Sequence, residues 1–102
     1  MTYFIETFDK PDHQARRQEL RAAHLDFLQE NAHRLLACGA KLAEDGKDLG
    51  GGVYIITADN YDDARAFIEA DPFHQGDLFA EVRITRWRKA YVDGRCFLPE
   101  AP

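Results

Sequence analysis

The sequence predicts an α+β domain in which antiparallel strands form one sheet and two helices cover one of its faces. Three observations predict this class. Short runs of aromatic and β-branched residues indicate strands, a long amphipathic segment follows the first run, and a second helical segment precedes the last. The predicted order of elements is therefore β-α-β-β-α-β.

The first strand and the first helix occupy the N-terminal part of the chain. Residues 3–8 are mostly aromatic or β-branched, and a polar turn follows them. The helix is predicted to start at Pro11 or Asp12 and to end at Gly39, or slightly earlier near Cys38, because glycine favours the left-handed conformation that ends helices. At about 100° per residue, one stripe should face the core, formed by Leu20, His24, Phe27, Leu28, Asn31 and Leu35.

The next two strands are expected to form a hairpin. Residues 37–43 indicate a weak second strand, and residues 53–57 have the continuous apolar character of a buried third strand. Between them, residues 44–52 are polar and rich in glycine, which is typical of a turn.

The second helix has a clear start and a clear end. Asp59 or Asn60 is suited to cap it, and Pro72 stops it. In residues 81–89, Val82 and Ile84 alternate with Arg83 and Thr85, which indicates the fourth strand. The residues of the second helix that are predicted to face the core are Ala64, Phe67 and Ile68.

This order of elements belongs to the ferredoxin-like plan, in which two helices cover one face of a four-stranded antiparallel sheet. The opposite face needs a cover, and a small domain gains stability by pairing two copies, so we expect a homodimer through the sheet faces. The domain is predicted to span residues 1–92. Residues 93–102 are expected to form an extended tail whose Phe97 and Leu98 dock on a partner subunit.

Composition limits the classes of function. The chain has 13 Lys and Arg against 18 Asp and Glu, and its net charge of −5 disfavours nucleic acid or an anionic membrane as the main partner. No run approaches the ~20 apolar residues of a membrane helix, and the N-terminus lacks the features of a signal peptide, so we expect a cytoplasmic protein. Cys38 and Cys96 have no metal-binding spacing and are predicted to be free thiols.

Two residues are candidates for acid–base chemistry. His24 lies in the middle of the predicted buried stripe, so its imidazole needs an internal hydrogen-bond partner. Asp71 precedes a proline, which excludes it from helical geometry and leaves its carboxylate at the end of the second helix. A carboxylate bound to one imidazole nitrogen would leave the other nitrogen to move a proton. The same spacing also allows a core histidine that donates to a backbone carbonyl and an aspartate that binds backbone amides.

Other polar groups have simpler explanations. The glycine run 50–52 matches no phosphate-binding motif and precedes a strand, so a hairpin turn is expected there. His74 lies close to Asp71, but a third ligand is lacking and no metal site is predicted. Serine is absent and neither cysteine has an obvious histidine partner, which argues against covalent hydrolase chemistry. Phe73 and Trp87 would suit either an aromatic substrate pocket or the core.

Three segments resemble the YciI-like (YCII-related) family. Residues 21–28, RAAHLDFL, resemble its R-x-x-H-L-x-x-L helix, and residues 70–79, ADPFHQGDLF, resemble its A-D-P-F-x-x-x-G-L-F segment with the glycine one place early. Residues 82–88 resemble its last strand. The resemblance implies a dimeric α+β barrel with the two sheets packed face to face. It also implies a cleft whose proton-transferring histidine and aspartate correspond to His24 and Asp71.

The resemblance suggests a reaction class but no particular substrate. Relatives include a dehydrochlorinase that acts on a chlorinated hydroxyhydroquinone, and the same barrel plan serves muconolactone isomerases and cofactor-free monooxygenases. This chain departs from the family near the implied cleft. It has Gly39-Ala40 where many members have a glycine-proline pair, and His74 where they have an apolar residue.

The sequence and the resemblance together predict a cofactor-free lyase or isomerase that uses His24 and Asp71 for proton transfer on a small phenolic or carbonyl-bearing molecule. The alternative is a non-catalytic dimeric module of the same fold that binds a small molecule or serves a structural role. The residues expected to contact the substrate are Arg21, Gly52, Phe73 and Trp87.

Overall fold

The computed structural model of the chain describes residues 1–99, whose main elements follow the predicted order. The long strands are β1 (Thr2–Asp9), β2 (Leu35–Leu42), β3 (Asp48–Thr57) and β4 (Phe79–Trp87). The helices are α1 (Gln14–Glu30), α2 (Tyr61–Glu69) and the short α3 (Pro72–Gln75), with one 3-10 turn over Ala32–Arg34. Two short strands form a separate hairpin, β5 (Tyr91–Val92) and β6 (Arg95–Cys96). Within the described residues, no helix has the length and apolar character to cross a lipid bilayer.

The four long strands form one antiparallel sheet in the order β2-β3-β1-β4. α1 carries the chain from the central strand β1 to the β2 edge, and the segment through α2 and α3 carries it back to the β4 edge. In this register Ile5 of β1 lies opposite Tyr54 of β3 and Ile84 of β4. The predicted α+β class and ferredoxin-like plan are confirmed.

The core lies on one face of the sheet, beneath the helices. Along β1, Tyr3, Ile5 and Thr7 are buried, whereas the residues between them are only partly covered. Apolar burial of this kind contributes ~25 cal/mol per Å² removed from water, so this face supplies much of the driving force for folding. From α2, the buried residues are the three that the sequence predicted, Ala64, Phe67 and Ile68.

α2 begins at one of the two predicted caps. The Asn60 side-chain oxygen accepts a hydrogen bond of 2.8 Å from the backbone N–H of Asp63. This bond satisfies one of the amide groups that have no partner within the first turn of a helix.

α1 is shorter than predicted, since it ends at Glu30 and not near Gly39. The Asn31 side chain donates to the Phe27 carbonyl at 2.9 Å, and the Asn31 backbone N–H donates to the same carbonyl at 3.1 Å. Leu35, which was expected on the helical stripe, is instead the first residue of β2. This segment pairs with β3 and is therefore a strand. Helical periodicity in the sequence does not reveal such a long-range contact.

The glycine run lies in β3 and not in the predicted turn. The turn is confined to the residues around Gly46, and the Ala43 N–H closes it by donating to the Lys47 carbonyl at 2.9 Å. Gly51 has a φ of +135°, and a Cβ atom there would overlap the Thr7 carbonyl oxygen of β1. Glycine is therefore needed here because β1 passes too close for any side chain.

The C-terminal tail is not wholly extended. Tyr91 pairs with Cys96 and Val92 pairs with Arg95, so the predicted boundary after residue 92 falls inside a hairpin. An Asp-Gly pair at its tip adopts the positive φ angles that a tight hairpin turn requires. The last three residues of the predicted tail lie outside the described residues.

Candidate active site

His24 is buried in the middle of α1 and faces the core, as the helical periodicity predicted. Its imidazole stacks on the ring of Phe73, with the ring centroids 3.9 Å apart and the planes inclined by 13°. This stacking limits the tilt of the imidazole, so the positions of its two nitrogens are well defined.

Asp71 lies at the junction between α2 and α3 and is fully buried. Its φ of −64° and ψ of 130° place it in the extended region, which is the conformation that the following proline favours. Its Oδ1 atom accepts a hydrogen bond of 2.8 Å from the Phe73 backbone N–H and so caps α3. Asp71 therefore binds a backbone amide, and the rest of its carboxylate is available to other donors.

The two candidate residues are in direct contact. His24 Nδ1 lies 2.9 Å from each of the two carboxylate oxygens of Asp71, and the Tyr54 hydroxyl donates to Oδ2 at 2.8 Å. Because an ionised carboxylate can only accept hydrogen bonds, Nδ1 carries the proton of this contact. The partner of His24 is thus a carboxylate and not a backbone carbonyl.

The second ring nitrogen of His24, Nε2, is accessible. Within residues 1–99, the hydrogen bonds of His24 involve Nδ1 alone, and every fully buried side-chain nitrogen or oxygen has a partner. Nε2 is therefore not fully buried, and His24 lines the cavity described below. A molecule in that cavity has access to the nitrogen that Asp71 leaves free.

Tyr54 is a site residue that the sequence analysis did not identify. Burial, and after it the negative charge of Asp71, raises the pKa of Tyr54 well above its ordinary value. The hydroxyl therefore stays protonated and remains a donor to the Asp71 carboxylate. A signal was present in the sequence, because a tyrosine within a buried strand needs a partner for its hydroxyl.

A cavity of about 250 Å³ opens beside His24, between α1 and the sheet. An apolar cavity of ~150 Å³ accommodates benzene, so this space suffices for a substituted single ring. The lining side chains from α1 are Arg17, Arg21, His24, Leu25 and Leu28.

The opposite wall of the cavity consists mostly of backbone and small residues, and Phe73 from α3 completes the lining. Small residues leave room for a ligand directly against the sheet. The residues that β2 and β3 contribute are Cys38, Gly39, Ala40, Gly51, Gly52 and Tyr54.

Arg17 is a second residue that the sequence analysis missed. Its Nε atom donates to Oδ2 of Asp9 at 2.7 Å, and Nη2 donates to Oδ1 at 3.3 Å. The guanidinium carbon also lies 4.6 Å from the centroid of the Phe73 ring. Asp9 is the last residue of β1, and the reversal of the chain between β1 and α1 brings it to Arg17.

Cys38 lies in the cavity wall on the edge strand β2. Although the residue as a whole is exposed, partial burial of the thiol, followed by the nearby charge of Asp71, raises the pKa of Cys38 to about 11. The thiol therefore stays protonated near neutral pH and is a poor nucleophile. Among residues 1–99, no group of three or more His, Cys, Asp or Glu side chains is arranged to hold a metal ion.

Three of the four residues expected to contact a substrate lie in the cavity beside His24, namely Arg21, Gly52 and Phe73. Trp87 does not. It ends β4 opposite Thr2, and residues at this position of the pleat point to the face of the sheet away from the helices. Trp87 therefore lies outside this cavity, and its contact with a substrate stays a prediction.

The fold and the site together define a class of small ferredoxin-like α+β proteins in which a buried histidine–aspartate pair opens onto a cavity. The chain belongs to the YCII-related domain family, whose model matches residues 1–88. It is 31% identical over 98 residues to Protein YciI of Escherichia coli O6:H1, a match that covers 89% of this chain and 100% of that protein. Protein YciI of Shigella flexneri matches to the same extent.

A solved structure of an enzyme has a similar fold. The 5-chloro-2-hydroxyhydroquinone dehydrochlorinase TftG from Burkholderia phenoliruptrix AC1100, in complex with 2,5-dihydroxybenzoquinone, is similar with a TM-score of 0.79 and 32% sequence identity. The match covers 86% of this chain and 94% of that one. The family resemblance stated from the two sequence motifs is thus confirmed.

Proposed function

We propose that this protein is a cofactor-free lyase or isomerase in which His24 transfers a proton on a small molecule bound in the cavity. The arrangement of His24 carries the proposal, because Nδ1 is bound to the Asp71 carboxylate at 2.9 Å while Nε2 is accessible. A general base needs this combination of a fixed tautomer and a second nitrogen within reach of the reacting atom.

The surroundings of the pair suit a preorganised base. When Nε2 accepts a proton, the ring becomes an imidazolium, and the adjacent Asp71 carboxylate stabilises the new charge. The Tyr54 hydroxyl and the Phe73 N–H bind different oxygens of that carboxylate, which hinders its rotation. Little rearrangement is therefore needed at the moment of proton transfer.

The similarity to a dehydrochlorinase supports elimination as the reaction type. In such a step, His24 takes a proton from an oxygen or a carbon of the substrate. The electron pair of the broken bond moves to form a C=O or C=C double bond, and the leaving group departs as an anion. An isomerase step differs in that His24 returns the proton to another atom of the same molecule. Neither step changes the overall oxidation state of the reacting system, so neither needs an oxidant.

The test uses two reactions of known chemistry. Chloride release from 5-chloro-2-hydroxyhydroquinone reports elimination, and deuterium uptake by 2,5-dihydroxybenzoquinone in heavy water reports proton exchange. We expect the wild type to catalyse at least one of them, and we expect His24→Asn and Asp71→Asn to lower the rate by ~100-fold or more, which is within the range for loss of a general base or its orienting carboxylate.

The matched control is His33→Asn, since His33 is exposed and does not line the cavity. It should retain the wild-type rate. Failure of the wild type in both reactions, or an unchanged rate in His24→Asn, would contradict the proposal.

A non-catalytic binding module is the second candidate, and one observation favours it. Three donors bind the Asp71 carboxylate, so the pair has a structural role even without a reaction. In that case, the wild type binds 2,5-dihydroxybenzoquinone without exchange. His24→Asn then lowers the free energy of unfolding by ~1–3 kcal/mol, as expected for a lost buried hydrogen bond.

A further inference from the structure

The charged side chains that line the cavity beside His24 are arginines. Arg17 and Arg21 both face it, and none of the described residues in its lining carries a carboxylate. Asp9 and Asp71 are not part of this lining and are already bound, the first to Arg17 and the second to His24. The cavity therefore presents positive charge to a ligand, although the chain as a whole has a net charge of −5.

The two arginines differ in what they already bind. Arg17 forms an ion pair with Asp9 at 2.7 Å, packs on the Phe73 ring, and has a side chain that is only 11% exposed. Arg21 is exposed, and its guanidinium has no hydrogen bond, ion pair or ring contact within residues 1–99. Arg21 is thus the cation of this wall that is available to a ligand.

Arg21 and His24 are placed to act on one molecule. They lie three residues apart on α1, so they occupy neighbouring turns on the same side of the helix. Both line the same cavity of about 250 Å³, which is small enough that a single-ring ligand beside one of them is also close to the other.

We infer that the ligand of this cavity is a planar single-ring molecule with an oxyanion, either a carboxylate or an ionised acidic hydroxyl, that pairs with Arg21 while His24 acts on a neighbouring atom. The planar guanidinium offers parallel N–H groups that match such oxyanions. Leu25, Leu28 and the Phe73 ring supply apolar contacts for the ring of the ligand.

This inference rests on the proposed function and adds a role for charge. When His24 removes a proton, negative charge develops on the substrate close to the Arg21 guanidinium. The charge of Arg21 then stabilises the transition state as well as the bound anion. Arg21 is therefore the residue that sets the specificity for anions.

The test compares the binding of two anionic single-ring ligands with that of a neutral one by isothermal titration calorimetry. The probe with a carboxylate is 4-hydroxybenzoate, and the probe with ionised acidic hydroxyls is 2,5-dihydroxybenzoquinone. The neutral probe is 4-hydroxybenzamide. We expect the wild type to bind at least one of the two anions about tenfold or more tightly than the amide, and Arg21→Gln to abolish this preference. Arg21→Lys should restore part of it, because lysine keeps the charge without the planar fork.

The matched control is Arg86→Gln, which removes the same charge from an exposed position on β4 outside the cavity lining. It should bind all three probes as the wild type does. Thermal unfolding of Arg21→Gln should follow that of the wild type, since the exposed guanidinium has no partner within residues 1–99 to lose. Equal affinities of wild type and Arg21→Gln for both anions, or no saturable binding of either anion by the wild type, would overturn the inference.

The outcomes also separate this inference from the proposed function. If Arg21→Gln loses the preference for anions while His24→Asn keeps the wild-type rates, anion recognition stands and proton transfer by His24 fails. If His24→Asn is inactive while Arg21→Gln binds anions normally, proton transfer stands and anion recognition by Arg21 is wrong.

Discussion

Asp71 combines two roles in one carboxylate. It begins α3 by accepting the Phe73 N–H, and it holds the His24 imidazole and the Tyr54 hydroxyl. Each hydrogen bond to a charged group contributes ~1.5–3 kcal/mol, which offsets the cost of removing a carboxylate from water. The buried position of Asp71 therefore depends on all three donors.

We expect the ionisation of Cys38 to make the stability of the protein depend on pH. Burial, and secondarily the charge of Asp71, raises the pKa of Cys38 from 9.0 to about 11. Because the folded pKa exceeds the ordinary value, the stabilisation associated with the protonated thiol is fully present below pH 9.0 and is lost as the pH rises to about 11. We expect the free energy of unfolding to fall across this window, and to fall less steeply in Cys38→Ser, whose hydroxyl does not ionise there.

Urea denaturation below, within and above the window measures this difference. Ala40→Ser is the matched control, since it places a serine on the same strand and keeps the thiol. It should retain the pH dependence of the wild type. If the free energy of unfolding falls equally steeply with pH in the wild type and in Cys38→Ser, the thiol does not contribute to the pH dependence.

The glycine run in β3 allows this strand to lie close to β1. Gly51 has a φ of +135°, and a Cβ atom at this position would meet the backbone carbonyl of Thr7, which cannot move aside as a flexible side chain can. Since Gly51 also lines the cavity, this contact shapes the wall on which a ligand would lie.

A single substitution tests this role of β3. Gly51→Ala should lower the free energy of unfolding by ~3 kcal/mol or more, because it combines backbone strain with a steric overlap in a buried strand. Gly39→Ala is the matched control on the neighbouring strand, where a Cβ atom would meet nothing within 4 Å. It should change stability by less than ~1 kcal/mol. Similar losses in the two variants, measured by urea denaturation, would contradict the explanation.

The face of the sheet opposite the helices carries aromatic and aliphatic side chains. Phe4, Val53, Ile55 and Trp87 lie on it and are only partly covered within residues 1–99. A partly exposed aromatic and aliphatic surface of this kind is typical of an interface. We therefore propose that two copies pair through this face, which gives Trp87 a place at the interface and not in the pocket.

Sedimentation of two charge variants tests the proposed homodimer. Ile55→Lys puts a charge in the middle of the face and should shift a dimeric wild type towards the monomer, since a buried unpaired charge is costly. Tyr61→Lys is the matched control, because Tyr61 is 50% exposed on α2, away from this face. A monomeric wild type at high micromolar concentration, or a dimeric Ile55→Lys variant, would contradict the proposal. Docking of the tail on the partner stays a prediction, for which Leu98, 50% exposed, is the available contact.

Local rules account for the features that could be predicted from the chain alone. The Asn60 cap and the core residues of α2 follow from side-chain chemistry and periodicity over a few residues. The same periodicity turns His24 inward, and the proline after Asp71 sets the extended backbone of that residue. These signals act over one or two turns, so they are readable without knowledge of the fold.

Contacts between distant segments decided the rest. The end of α1 depends on the pairing of β2 with β3, and the place of Gly51 in a strand depends on its approach to Thr7 of β1. Tyr54 is part of the site because the register of the sheet brings its hydroxyl to Asp71. Arg17 is part of it because the chain reverses after β1, which brings Arg17 to Asp9. The sequence identifies His24 and Asp71 as candidates. Only the folded chain places Tyr54, Arg17 and a cavity beside them, because these arrangements depend on distances between residues far apart along the chain.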